Sequence, residues 1–226
     1  MKKQFSLLLL LSFLTLQSFK NIPTSTFAVF ETNHALYLSQ KFNMNTNAIA
    51  FAINGYEQLK LQGKLGNIKY LTIADFSQPS NEERLYIIDM EQQDLVIQTL
   101  VAHGKNSGTL FAKNFSNKNA SNKSSLGFYV TGDIYRGKHG KSLQLIGVEP
   151  GINDKAKQRA IVLHGADYVS NNAIEQMGYI GRSQGCPAVP NNQVAEIIET
   201  IQGESCFFIY APDKQYLSQS QLIHTK

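Results

Sequence analysis

The feature that most limits what this chain can become is a change of period near residue 70. From Tyr70 onward apolar side chains fall on alternate positions: Leu71 and Ile73, then Leu85 and Ile87. After a Gln92, Gln93, Asp94 turn the same alternation returns at Leu95, Ile97, Thr99 and Val101. A period of two sends successive side chains to opposite faces of an extended strand, so a β-rich body starts here. Residues 128–131, 143–148, 160–163 and 206–210 are further short apolar runs bounded by turn formers, and each predicts another strand. Upstream the period is helical. Ile49, Ile53 and Tyr56 share one face of a helix over 46–61, with Asn45 or Thr46 as its cap and Gly63 as its stop. A second helix follows Pro190, where Val194, Ile197, Ile198 and Ile201 form an apolar stripe ended by Gly203. The expected architecture is mainly β (α+β): an N-terminal helical segment at 29–69, a sheet-dominated domain at 70–226, and one helix close to its C-terminal end.

The 226 residues are 42% apolar and 10% aromatic, enough to bury one core. The net charge of +4 comes from scattered lysines rather than a basic block, which argues against nucleic-acid binding. No Gly-x-Gly-x-x-Gly loop and no internal repeat occurs, so nucleotide chemistry and solenoid architectures are disfavoured. At the N-terminus, Lys2 and Lys3 precede an apolar run from Phe5 to Leu16. That run is shorter than the roughly 20 residues of a bilayer-spanning helix. Residues 1–28 therefore predict an export signal with small residues at Thr26 and Ala28, or at Ser18, for cleavage; an uncleaved membrane anchor is the alternative. Export places the chain in the periplasm or cell envelope. Residues 114–125 are almost wholly polar and predict a loop; their triplets starting at Asn114, Asn119 and Asn122 would accept glycans only in a eukaryotic secretory pathway.

Chemistry concentrates between residues 160 and 188. A short apolar strand ends in His164 and Gly165, and a later turn reads Gly181, Arg182, Ser183, Gln184, Gly185, Cys186, Pro187. A thiol is nucleophilic as thiolate, and an imidazole brought near by the fold can take its proton. His164 is the best placed candidate for that base. Gly185 opens backbone angles closed to other residues, which would turn the N–H groups of Gln184, Gly185 and Cys186 toward a developing oxyanion. Ser183 is expected to shape the turn or orient His164. Arg182 suits a carboxylate or a surface ion pair equally. Tyr168 suits the groove or the core, and His139, in a turn between Gly137 and Gly140, suits the groove, solvent or a structural place. With Cys206 in an apolar run and Cys186 in a polar turn, a disulfide and two free thiols remain equally open. The five histidines lack the paired spacing of a zinc site.

These residues closely resemble the catalytic segment of the murein L,D-transpeptidase catalytic domain family, in which His-Gly ends a strand and Ser-x-Gly-Cys supplies the nucleophile. The resemblance extends to Asp75 and Phe76, the run Val101, Ala102, His103, Gly104, the run Ser124 to Gly127, and Lys138, His139, Gly140, covering roughly residues 70 to 212. It departs from the better-known branch at Gln184, where histidine is usual, and at Pro187 and Ala188. The resemblance implies a sandwich or barrel-like β fold and a thioester acyl-enzyme on Cys186 with His164 as base. It also implies peptidoglycan tetrapeptide stems as donors, with no metal or organic cofactor required. D-Ala would leave; an amine acceptor would then give 3-3 cross-links, and water would give L,D-carboxypeptidase activity. A non-catalytic cell-wall-binding module with a Cys186–Cys206 bridge is the alternative outside enzymes.

Overall fold

A computed structural model describes residues 34–138 and 140–224. The expected export signal and His139 lie outside the described residues. The predicted helix forms as α1 (Thr46–Leu61), and the Asn45 side chain accepts from the amides of Asn47 and Ala48 as its cap. Its apolar face buries Ile49, Ala52, Tyr56 and Leu59. Residues 34–41 are helical as well. Among the described residues no helix is long and apolar enough to cross a membrane.

Among the described residues eight strands follow: β1 (Asn67–Asp75), β2 (Leu85–Asp89), β3 (Asp94–Thr99), β4 (Gly127–Gly137), β5 (Gly140–Gly147), β6 (Val162–Gly165), β7 (Ala188–Val189) and β8 (Ser205–Tyr210). They form one sheet in the order β3-β2-β1-β8-β4-β5-β6-β7. The neighbours are antiparallel except β1 with β8 and β6 with β7. Three helices interrupt or follow the strands: α2 (Asn171–Met177), α3 (Val194–Ile201) and α4 (Lys214–Gln219). The parallel β1–β8 pair cannot be joined by a tight turn, and α3 delivers the chain to β8 while packing on β1, β5 and β6.

The two ends of the sheet row approach each other. Ala102, just past β3, donates to the Ala188 carbonyl of β7 at 2.8 Å and accepts from the Ala188 amide at 3.4 Å. The sheet is thus nearly closed and barrel-like, which limits the exposed edge. This closure explains why Val101 does not extend β3 as its alternation predicts. The strand stops at Thr99, and the next residues turn to meet β7. Two other boundaries differ from the sequence pattern. Ala160 adopts a left-handed φ of 51°, so β6 begins at Val162. β4 runs on to Gly137 although residues beyond Thr131 are mostly exposed, because backbone bonding to β5 holds them across a register shift.

The core lies between the sheet and α1. All six residues of β8 are buried, and the Phe128 and Phe208 rings stack with centroids 4.1 Å apart. Gly55 of α1 makes room for this pair. A Cβ at that position would lie 2.0 Å from Phe128 Cζ, so a residue that costs a helix about 1 kcal/mol is required by close approach. At the other end of the core, buried Glu149 accepts from the Phe128 amide at 2.7 Å, the Tyr216 hydroxyl at 3.4 Å and the Ser220 hydroxyl. With Gln58 donating to the Leu222 carbonyl at 3.0 Å, this ties the C-terminal segment to α1.

Candidate active site

The turn that carries Cys186 is clamped from three directions. The Ser183 amide donates to the His103 carbonyl at 3.0 Å, and the Lys105 amide donates to the Ser183 carbonyl at 2.8 Å. Ser124 Oγ donates to the Gly185 carbonyl at 3.0 Å while accepting from the Gly104 amide at 3.0 Å. Within the turn, Ser183 Oγ donates to the Cys186 carbonyl at 2.6 Å and accepts from the Gly185 amide at 3.0 Å. Gly185 has φ of 128°, and a Cβ there would lie 2.8 Å from the Lys123 carbonyl oxygen. Its expected backbone freedom is therefore used.

These bonds refine two expected roles. The Ser183 hydroxyl is used in shaping the turn. The Gly185 N–H is spent on Ser183, so the expectation that it faces an oxyanion is corrected. Among the described residues the amides of Gln184 and Cys186 make no hydrogen bond, and they remain as donors.

The histidine arrives by strand pairing. β7 starts two residues after Cys186 and runs parallel to β6 with Ala188 opposite His164, while Ser142 of β5 flanks His164 on its other side. Sheet register thus brings a thiol from the turn and an imidazole from the strand to one cavity of about 520 Å³. His164 is buried, with Nδ1 2.8 Å from the Gly165 carbonyl oxygen. A carbonyl only accepts, so Nδ1 carries the hydrogen and Nε2 is the basic nitrogen of the neutral ring. Gly165 acts here through its carbonyl and does not line the cavity. Cys186 Sγ faces the Ala160 carbonyl at 3.6 Å. Burial pushes its thiol above the ordinary value, while a backbone hydrogen bond with Val162 and the charges of Arg159 and Lys138 pull it back. A thiol raised in this way needs a base to become nucleophilic.

Tyr168, Arg182 and Gln184 line the same cavity. The Tyr168 phenol is half-buried and pushed up to about 12 by that burial, so it stays neutral. Arg182 is exposed and donates to the Gly108 carbonyl at 3.2 Å; it has no carboxylate partner among the described residues, so the ion-pair reading of it fails. Residues that the sequence did not single out as functional also line the cavity, among them Tyr135 and Lys138 near the β4–β5 turn. Arg159 binds the carbonyl of Ser116 at 2.8 Å and the hydroxyl of Ser125 at 3.1 Å, holding the polar 114–125 loop beneath the turn. A lone arginine before a strand gives no sequence signal for that task.

Both cysteines are free, and Cys206 is fully buried in β8. The bridge reading is therefore set aside. His103 belongs to the scaffold: it is fully buried, with Nδ1 2.8 Å from Arg84 Nη2. Burial, then the neighbouring guanidinium, lowers its pKa to about 4.

Fold and cavity together define a mainly β protein with a cysteine and a histidine in a shared cleft. Residues 40–210 match the family model described as the L,D-transpeptidase catalytic domain, and the chain belongs to that family. No curated protein sequence matches it. Among solved structures, it is similar to an L,D-transpeptidase from Mycobacterium smegmatis, with 11% identity and a TM-score of 0.39 over 63% of this chain and 59% of that one. An L,D-transpeptidase from Xylanimonas cellulosilytica gives 13% identity and a TM-score of 0.38 over 73% and 80%. The helical cell shape determining protein Pgp2 from Campylobacter jejuni gives 15% identity and a TM-score of 0.40 over 65% and 49%. The chain thus spans less than two-thirds of the length of the first and third of these.

Proposed function

We propose that this chain is an exported cysteine acyltransferase of the periplasm or cell envelope that acts on peptidoglycan tetrapeptide stems. The observation that carries the reading is the meeting of Cys186 and His164 in one cavity, with the His164 tautomer fixed by the Gly165 carbonyl. His164 Nε2 takes the Cys186 proton as the sulfur attacks the carbonyl between the third stem residue and terminal D-Ala. The oxyanion that forms is met by the amides of Gln184 and Cys186. Collapse of the tetrahedral intermediate breaks the C–N bond, His164 returns the proton to the leaving amine, and D-Ala departs. The stem remains as a thioester on Cys186.

In the second half, His164 deprotonates an acceptor. The side-chain amine of another stem gives a 3-3 cross-link, and water gives a tripeptide. The same two amides serve both tetrahedral intermediates, so one site runs both steps. Arg182 and Tyr168 line the path of the donor. Incubation of the protein with a purified tetrapeptide muropeptide, followed by mass spectrometry, tests the reading. Loss of D-Ala with formation of cross-linked dimers is expected. Tripeptide alone, even with excess acceptor, would replace transfer by hydrolysis; unchanged tetrapeptide under reducing conditions would refute both.

A further inference from the structure

The charge of the cavity wall is one-sided. Lys138, Arg159 and Arg182 line it, and no aspartate or glutamate does so among the described residues. Two of these cations are engaged by the protein. Arg159 donates to the carbonyls of Ser116 and Lys123 and to the hydroxyls of Ser121 and Ser125. Arg182 donates to the Gly108 carbonyl and to Thr109 Oγ1 at 3.5 Å. Lys138 differs. Among the described residues it has neither a hydrogen bond nor an ion pair.

Its place in the fold is specific. β4 and β5 pair up to Gly137 and Gly140, so Lys138 sits in the hairpin tip, and the hairpin carries Tyr135, Gly137 and Lys138 to the cavity rim. The ammonium is near enough to the nucleophile for its charge to act on the Cys186 sulfur. A solvated lysine elsewhere on the surface would carry no information, but at the mouth of a reaction cavity a cation with neither a hydrogen bond nor a counter-ion from the described residues attracts an anion.

We propose that Lys138 binds an ionised carboxylate of the acyl donor next to the scissile bond, so that the site selects a peptide ending in a free acid. This deepens the acyl-transfer reading and rests on it. In a tetrapeptide stem the terminal D-Ala carboxylate is three bonds from the scissile carbonyl carbon, so attack by Cys186 brings that carboxylate into the cavity that Lys138 also lines. Moving the carboxylate out by one residue, or capping it as an amide, removes the partner. Lys138 thereby distinguishes a terminal residue from an internal one, and the departing D-Ala takes its anion with it, leaving the cation vacant for the acceptor step.

The test uses the full chain with Lys138→Gln and Lys138→Arg. Each is given the stem tetrapeptide and its C-terminal carboxamide, and kcat/KM for release of D-Ala or D-Ala amide is measured. A charge-assisted contact predicts that the wild type prefers the acid by about tenfold to a hundredfold. The acid-to-amide ratio should fall toward one in Lys138→Gln and largely survive in Lys138→Arg. Iodoacetamide alkylation of Cys186 reads thiolate formation separately. If Lys138→Gln slows both peptides equally and slows alkylation by the same factor, the lysine acts only on the sulfur and the proposal is overturned. Equal wild-type rates on acid and amide overturn it too, with the acyl-transfer reading intact. No turnover of either peptide removes that reading and the proposal together.

Discussion

Arg84 is the most exacting test of how the scaffold supports the site. It is fully buried, 4.7 Å above the Phe76 ring. Its Nε and Nη2 donate to the Val101 carbonyl at 3.1 and 2.9 Å, Nη1 donates to the Gln78 carbonyl at 2.7 Å, and Nη2 donates to His103 Nδ1. Residues 101–105, held in this way, are the same ones that bond to Ser183 and Ala188 on either side of Cys186. Replacing Arg84 with Met keeps much of the apolar stem but strands two buried acceptors, the Val101 carbonyl and His103 Nδ1, and the part-buried Gln78 carbonyl. At about 1–3 kcal/mol for each unsatisfied buried group, even the low end gives about 2 kcal/mol. It also leaves the buried Asp75 carboxylate without the cation that attracts it. Against this stands relief from burying a guanidinium, a cost visible in its pKa, which burial lowers to about 9. Because methionine brings no donor to the vacated acceptors, the losses dominate, and a net destabilisation of about 2–4 kcal/mol is expected. For a chain of this size that corresponds to a melting temperature lower by roughly 5–15 °C. Urea unfolding followed by circular dichroism measures it. Arg84→Lys, with a single ammonium in place of a fork, should recover less than half. A variant within about 0.5 kcal/mol of wild type would refute the claim that these bonds hold the platform.

Other expectations follow from single contacts. His103 has a pKa lowered to about 4 against an ordinary 6.5, so its neutral form contributes stability that is present above pH 6.5 and lost as pH falls through 4. His103→Asn should start less stable and lack that part of the acid slope; equal slopes would contradict the burial account. Gly55→Ala improves helix propensity yet should destabilise by about 1–3 kcal/mol, because its methyl meets Phe128; a more stable variant in thermal melts would mean the ring moves freely. His164→Asn should lower kcat/KM for D-Ala release by about 10²–10⁴ with little change in melting temperature. A drop of less than threefold would mean another group takes the proton.

Much of the fold was legible because apolar spacing follows burial. The cap at Asn45, the Ile stripe of α3 and the fully buried β8 all announce themselves by residue type and period. What stayed hidden was held by backbone rather than by pattern. The outer half of β4 is mostly exposed, Ile134 and Tyr135 included, and its ladder to β5 makes it a strand. β7 is two residues long, too short for any period, yet it sets Cys186 beside the strand of His164. α2 and α4 rest on single caps, Ser170 and Asp213, without an apolar stripe. For the site, Cys186 and His164 were singled out by residue type and motif, and the fold brings them to one cavity. Its supports were not: the Ser183 bond that consumes the Gly185 amide, the Ser124 bridge, and the arginines at 84 and 159 depend on contacts between segments far apart in sequence.

Intact-protein mass spectrometry after rapid mixing with a stem tetrapeptide decides whether Cys186 carries the acyl group. A transient adduct equal to the donor minus D-Ala is expected, mapped to Cys186, discharged by acceptor or water and missing in Cys186→Ala. D-Ala release that persists in Cys186→Ala, or an adduct on any other side chain, would contradict it.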